Sequence, residues 1–294
     1  MKVEDQLAYE ARVRSRNAAI AVIAGLLLLA AAAAQIAGPQ PKVPEQTLQL
    51  IFVNKRFPLD IIGSLLEAAG LVGLIWTLAF LFDAARARKP EMSPATRAAL
   101  LAGGIISAIG GIVYGVVIAI KAHDFVHTGG QTYEQYNHLA KGAALPTLQT
   151  LDIAAQFALA VSIVIIALNG LRVGLLTRFM GYFGILVGAA GMLLIGSPPA
   201  AALEIAWLLA LGYLYSGRWP NGDPPAWRSG KAEPWPSAVE QREARMREAG
   251  AGARVTTGAR DGGGRGDDRE PAAAGQTQAR TRATTPKRKR KKRR

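Results

Sequence analysis

Uncharged stretches of bilayer length constrain this chain more than any other feature. Crossing about 30 Å of hydrocarbon at 1.5 Å per residue takes roughly 20 apolar residues. Residues 17–41 carry no charge around the core AAIAVIAGLLLLAAAAAQIAG, and residues 98–120, 153–171 and 179–203 carry none either, although Pro198 and Pro199 break the last. Two further apolar stretches, 58–82 and 200–217, are interrupted by carboxylates. A single helix over residues 179–217 would be about 58 Å long, too long for one crossing, so SPPA at 197–200 reads as a tight hairpin. The pattern predicts an all-α protein, a six-helix transmembrane bundle with spans near 18–38, 58–82, 98–121, 149–171, 179–197 and 200–217.

Charge is segregated along the chain. Residues 218–294 hold 20 of the 35 Lys/Arg and 9 of the 21 Asp/Glu, and so most of the net charge of +14. This divides the sequence into an N-terminal arm (1–16), the transmembrane domain (17–217), a Trp/Pro-rich juxtamembrane segment with a short polar helix (218–250) and a disordered basic tail (251–294). Lys2, Arg12, Arg14 and Arg16 ahead of the first core also fit a secretory signal peptide, but the length of that core favours a retained helix. Lys/Arg counted over alternate short loops give ten on the side of the N-terminal arm and five on the other. The positive-inside rule then predicts both termini in the cytoplasm and a multi-pass cell-membrane protein.

Carboxylates inside the spans are the first candidates for chemistry, because an ionised side chain at the bilayer centre costs at least about 2.5 to 3.5 kcal/mol and turns toward protein or water. Asp60, Glu67, Asp152 and Glu204 all fall in the outer half of the predicted membrane domain. Asp60 and Glu67, seven residues apart, share a helix face, and with no basic residue in the spans Glu67 is the best candidate for proton coupling or cation binding. The three histidines share one outer loop, KAHDFVHTGGQTYEQYNH. If the third helix runs past Lys121, His123 and His127 sit at i and i+4, a spacing that presents two imidazoles to one metal, with Asp124, Glu134 or His138 as further ligands. A solvated polar loop explains the same residues.

No cofactor is called for. The chain has no cysteine, which excludes disulfides and thiolate sites. It also lacks GxSxG, a P-loop and a GxGxxG after a strand, so the sequence points away from an enzyme. Gly111-xxx-Gly115, extended by Gly104, and Gly184-xxx-Gly188 read as close-packing helix faces, inside one bundle or between two copies of the chain.

The juxtamembrane RWPNGDPPAWRSGKAEPWPS spaces Trp219, Trp227 and Trp235 eight residues apart among prolines that preclude a continuous helix. Trp favours the membrane interface, and packing on the inner loops is the competing reading. Ser237 and Glu240 fit a capping box opening EQREARMRE. The following Gly/Arg/Thr-rich segment lacks apolar periodicity and leads to Lys287, Arg288, Lys289, Arg290, Lys291, Lys292, Arg293 and Arg294. Such a run attracts anionic lipid headgroups at about 1 kcal/mol per residue, reduced by mutual repulsion, or nucleic acid and ribosome non-specifically. Over residues 179–237 and the terminal run, the chain resembles a group of uncharacterised actinobacterial multi-pass membrane proteins with a Trp/Pro-rich juxtamembrane segment and a Lys/Arg-rich C-terminus. The resemblance implies a cell-membrane protein and carries no site residues. The sequence favours a non-enzymatic membrane protein whose tail contacts a polyanion, with a small transporter or ion-binding protein using Glu67 as the alternative.

Overall fold

A computed structural model describes residues 3–37, 46–128, 130–140, 144–220 and 222–235, with a few positions between 240 and 247. Among these residues there is no strand. The helices are α1 (Val3–Ile36), α2 (Gln46–Arg88), α3 (Pro94–His127), α4 (Tyr133–Ala140), α5 (Ala144–Arg172), α6 (Arg178–Leu193), α7 (Pro198–Tyr215) and α8 (Pro225–Ser229). Five of them, α1, α2, α3, α5 and α7, are long and apolar enough to cross a membrane; α6 is apolar but has 16 residues.

Helix ends are set by local chemistry rather than by the limits of the apolar runs. Ser93 caps α3, its hydroxyl accepting from the Ala95 amide, and Thr177 caps α6 by accepting from Met180. Between α6 and α7 the chain turns at Gly196, whose φ is +68°, and Pro198 and Pro199 then occupy the first helical positions, where a missing N–H costs nothing. Elsewhere the helices outrun their apolar cores. α1 begins at Val3, so the expected N-terminal arm is helical, and α2 passes through Pro58 for 43 residues, about 65 Å.

The five long helices and α6 pack in chain order as a closed ring, α1 to α2, α3, α5, α6, α7 and back to α1. Small residues make this possible. A Cβ on Gly103 would lie 2.6 Å from the Ala155 carbonyl and 2.9 Å from the Leu159 amide of α5, while Gly104 seats Ile75 of α2. Gly184 accommodates Trp207 of α7 and Ala167 of α5, and Gly188 abuts Val164 and the Ala160 carbonyl, so this face is used inside the chain. Gly115 meets Ser64 of α2, but nothing approaches Gly111. The close packing of α3 therefore runs through Gly103 and Gly104 rather than Gly111.

The ring is filled at one end only. Leu74, Leu78 and Leu81 of α2, Ile163 and Ile166 of α5, and Leu208 and Leu211 of α7 belong to one buried cluster. There α2 and α5 touch across the ring, with Leu81 against Gly170. Toward the other end, where α4 lies, residues 51–67 of α2 contain one buried position, Gly63, and residues 146–154 of α5 and 109–118 of α3 contain none. A separate small cluster, Leu50, Ala122 and Phe125, closes the far tip. On the outside, Ile23, Val72, Ile109 and Leu186 are each more than half exposed, an apolar belt that water would penalise and lipid would not.

The start of α1, the α2–α3 and α5–α6 turns and the segment after α7 meet at the filled end, as the Glu10–Arg88, Lys89–Asn169 and Arg14–Asp223 contacts require. Residues 237–294 form a second unit, in which Glu243 and Arg247 pair one helical turn apart. The expected cap Ser237 and the whole of 251–294, with the basic run 287–294, lie outside the described residues.

Candidate functional site

Three of the four carboxylates singled out from sequence come together at the floor of the open half. Glu67 of α2 stands seven residues before Leu74, Asp152 of α5 seven before Leu159, and Glu204 of α7 seven before Leu211. Seven residues are close to two helical turns, so each acid shares a helix face with a leucine of the filled cluster; Glu67 is exposed, and Asp152 and Glu204 are half-buried. α2, α5 and α7 all run toward the filled end, so the acids come from three helices of the ring. Glu67 lies within Coulombic reach of both Asp152 and Glu204.

Their partners are neutral. Glu67 accepts from Gln35 Nε2 of α1 at 3.4 Å, Asp152 accepts from Gln156 Nε2 at 2.6 Å, and Glu204 Oε1 is fully buried without a hydrogen bond. Among the described residues none of the three joins an ion pair. Asp60 is different. It pairs with Arg56 one turn away at 3.1 Å, and the same guanidinium donates to the Ala34 and Gln35 carbonyls that end α1. Asp60 therefore belongs to a helix-capping contact and not to the floor.

The histidine set expected to hold a metal is not assembled. α3 does run past Lys121, and the His123 and His127 rings stack at 4.1 Å, but both are exposed, and His127 Nδ1 is engaged with the His123 carbonyl at 2.9 Å. Among the described residues no three His, Asp or Glu side chains converge as a metal ion needs, so His138 on α4 completes no site with them. Nor do Glu67, Asp152 and Glu204 form a group that could hold a metal ion.

The filled end is sealed by residues that sequence reasoning passed over. Arg88 donates to both Glu10 oxygens at 2.8 and 2.7 Å and to the Ala84 and Ala226 carbonyls, with side-chain exposures of 0% for Arg88 and 5% for Glu10. Arg14 grips Asp223 with two bonds of 3.0 and 2.7 Å and also donates to the Leu214 carbonyl. Trp227 lies against both guanidinium groups, 5.0 Å from Arg14 and 5.5 Å from Arg88, stacks on Phe80 and donates its indole N–H to the Leu175 carbonyl. The juxtamembrane segment thus packs on the bundle through Trp227. Gly174, at φ +79°, lets Glu233 approach its backbone. These partners are up to 209 residues apart, and no spacing pattern announces them. A deletion meant to remove only the tail should begin after residue 236, because residues 223–235 are part of the bundle.

No known protein family, curated protein or solved structure matches the chain.

Proposed function

We propose that the protein is a six-span membrane protein that takes up protons or a hydrated monovalent cation from the outer side, in the manner of a small transporter. The observation that carries this reading is the floor of three carboxylates, Glu67, Asp152 and Glu204, without a basic partner. An acid inside the membrane is costly and is retained where it exchanges protons or cations. Under the positive-inside rule the filled end, with Arg86, Arg88, Lys89, Arg97, Arg172 and Arg178, faces the cytoplasm, and the open half faces outward.

The cysteine-free chain makes the test direct. Single cysteines at positions 67 and 152 should react with a membrane-impermeant thiol reagent added outside, whereas cysteines at 74 and 159, seven residues deeper, and at 204, where the native Oε1 is fully buried, should not. In proteoliposomes an imposed proton or sodium gradient should drive a cation flux that falls at least tenfold in Glu67→Gln. Equal labelling at all five positions, or undiminished flux in Glu67→Gln, would sink the proposal.

A second reading concerns residues 287–294, whose eight consecutive positive charges suit anionic lipid headgroups, with nucleic acid as the competing polyanion. Purified full-length chain should carry more anionic phospholipid than a 1–236 fragment. An equal phospholipid content would remove the lipid reading, and ribonuclease-sensitive absorbance in its place would favour nucleic acid.

A further inference from the structure

We propose that the α4 end holds a second site, independent of the carboxylate floor, for a small amphipathic organic anion. A cavity of about 290 Å³ lies between α2, α3, α4 and α5, just under the usual range for drug-sized ligands and so suited to a smaller molecule. Its apolar wall includes Leu50, Val53 and Leu145. Its polar side brings together Lys121, Tyr114 and Gln149, with Gln149 Nε2 donating to the Tyr114 hydroxyl at 3.3 Å.

Lys121 decides the sign of the ligand. Its ammonium is half-buried, donates to the Leu139 carbonyl of α4 at 2.6 Å, and pairs with no carboxylate among the described residues. An ammonium has three donors, so two remain for a ligand beside a phenol that can donate as well. A carboxylate or phosphate ester satisfies them and neutralises a cation that otherwise has no counter-ion. The apolar wall requires a body of several carbons on that anion. The Leu139 bond also ties the lysine to α4, so a ligand on Lys121 lies directly beside the helix that covers the cavity.

The probe is hexanoate, added to the full chain in phosphatidylcholine nanodiscs and followed by calorimetry. Saturable binding of one hexanoate per chain is expected, with hexanol at least tenfold weaker and hexylamine not binding. Lys121→Met should weaken hexanoate at least tenfold, and Val53→Trp, which fills the cavity and keeps the lysine, should do the same. Competition by phosphatidylglycerol discs would support the anion site and assign it to a lipid headgroup, whereas hexanoate binding that persists there assigns it to a soluble acid. Non-saturable uptake, equal binding of hexanol, or unchanged affinity in folded Lys121→Met would overturn the proposal; if that variant does not fold, unchanged affinity in Val53→Trp would do so. Because neither variant touches Glu67, Asp152 or Glu204, cation flux through the floor is read separately.

Discussion

Replacing Arg88 by Ala should destabilise the protein by about 3 to 5 kcal/mol, the range for removing one partner of a buried ion pair. The arginine is the hub of the filled end. It neutralises Glu10 and accounts for two carbonyls, Ala84 and Ala226, on opposite sides of the joint between α2 and the juxtamembrane segment. Its loss leaves a carboxylate with 5% exposure lacking a counter-ion and strips Trp227 of one guanidinium. Glu10→Gln, which keeps the shape and loses the charge, should cost less. The double variant Glu10→Met/Arg88→Met should recover most of the loss, since packed apolar groups replace buried pairs at little cost. Thermal unfolding in detergent measures the first effect, and trypsin cleavage after Arg228 and Lys231 reports release of the segment. A midpoint for Arg88→Ala within a degree or two of the parent would mean the pair is ornamental.

What the sequence made legible follows from what a bilayer enforces. A missing charge over some 20 residues is a condition for crossing, so the apolar cores of the long helices could be read directly. Helix ends could not, because a helix need not stop where an apolar run stops: α2 begins at Gln46, ahead of Pro58, and α1 at Val3. The acids could be singled out by their cost. That Asp60 leaves the set depends on Arg56 lying near the end of α1, a tertiary fact. Glu67, Asp152 and Glu204 each stand seven residues before a buried leucine, but α5 and α7 are apolar all round, so no stripe in the sequence identifies the inward face. The histidine spacing put His123 and His127 on one helix face, and their exposure fits the solvated reading of that segment.

Tryptophan in the juxtamembrane segment illustrates the same limit. A preference for headgroups and a fit between two arginines are both consistent with Trp among prolines. Only the positions of Arg14 and Arg88, contributed by α1 and α2, decide that Trp227 is buried at 7% exposure.

Glycine packing gives a sharp contrast between two residues eight positions apart on α3. Gly103→Val should destabilise by about 3 kcal/mol, the upper part of the range for overpacking a well-packed contact. The atoms its Cβ would meet, the Ala155 carbonyl and the Leu159 amide, are backbone and cannot rotate away, so α3 and α5 must separate. That separation would also loosen Leu159, seven residues below Asp152, and let water reach the cluster under the carboxylate floor. Gly111→Ala should do the opposite. Nothing lies within 4 Å of the added methyl, and replacing a helical glycine by alanine gains about 0.5 to 1 kcal/mol from the unfolded chain. Thermal midpoints of the two variants in one detergent compare them, and a cysteine at 159 labelled from outside only in the Gly103→Val background would locate the opening. If Gly111→Ala were the damaging change, the packing seam of α3 would run along the Gly111-xxx-Gly115 face instead.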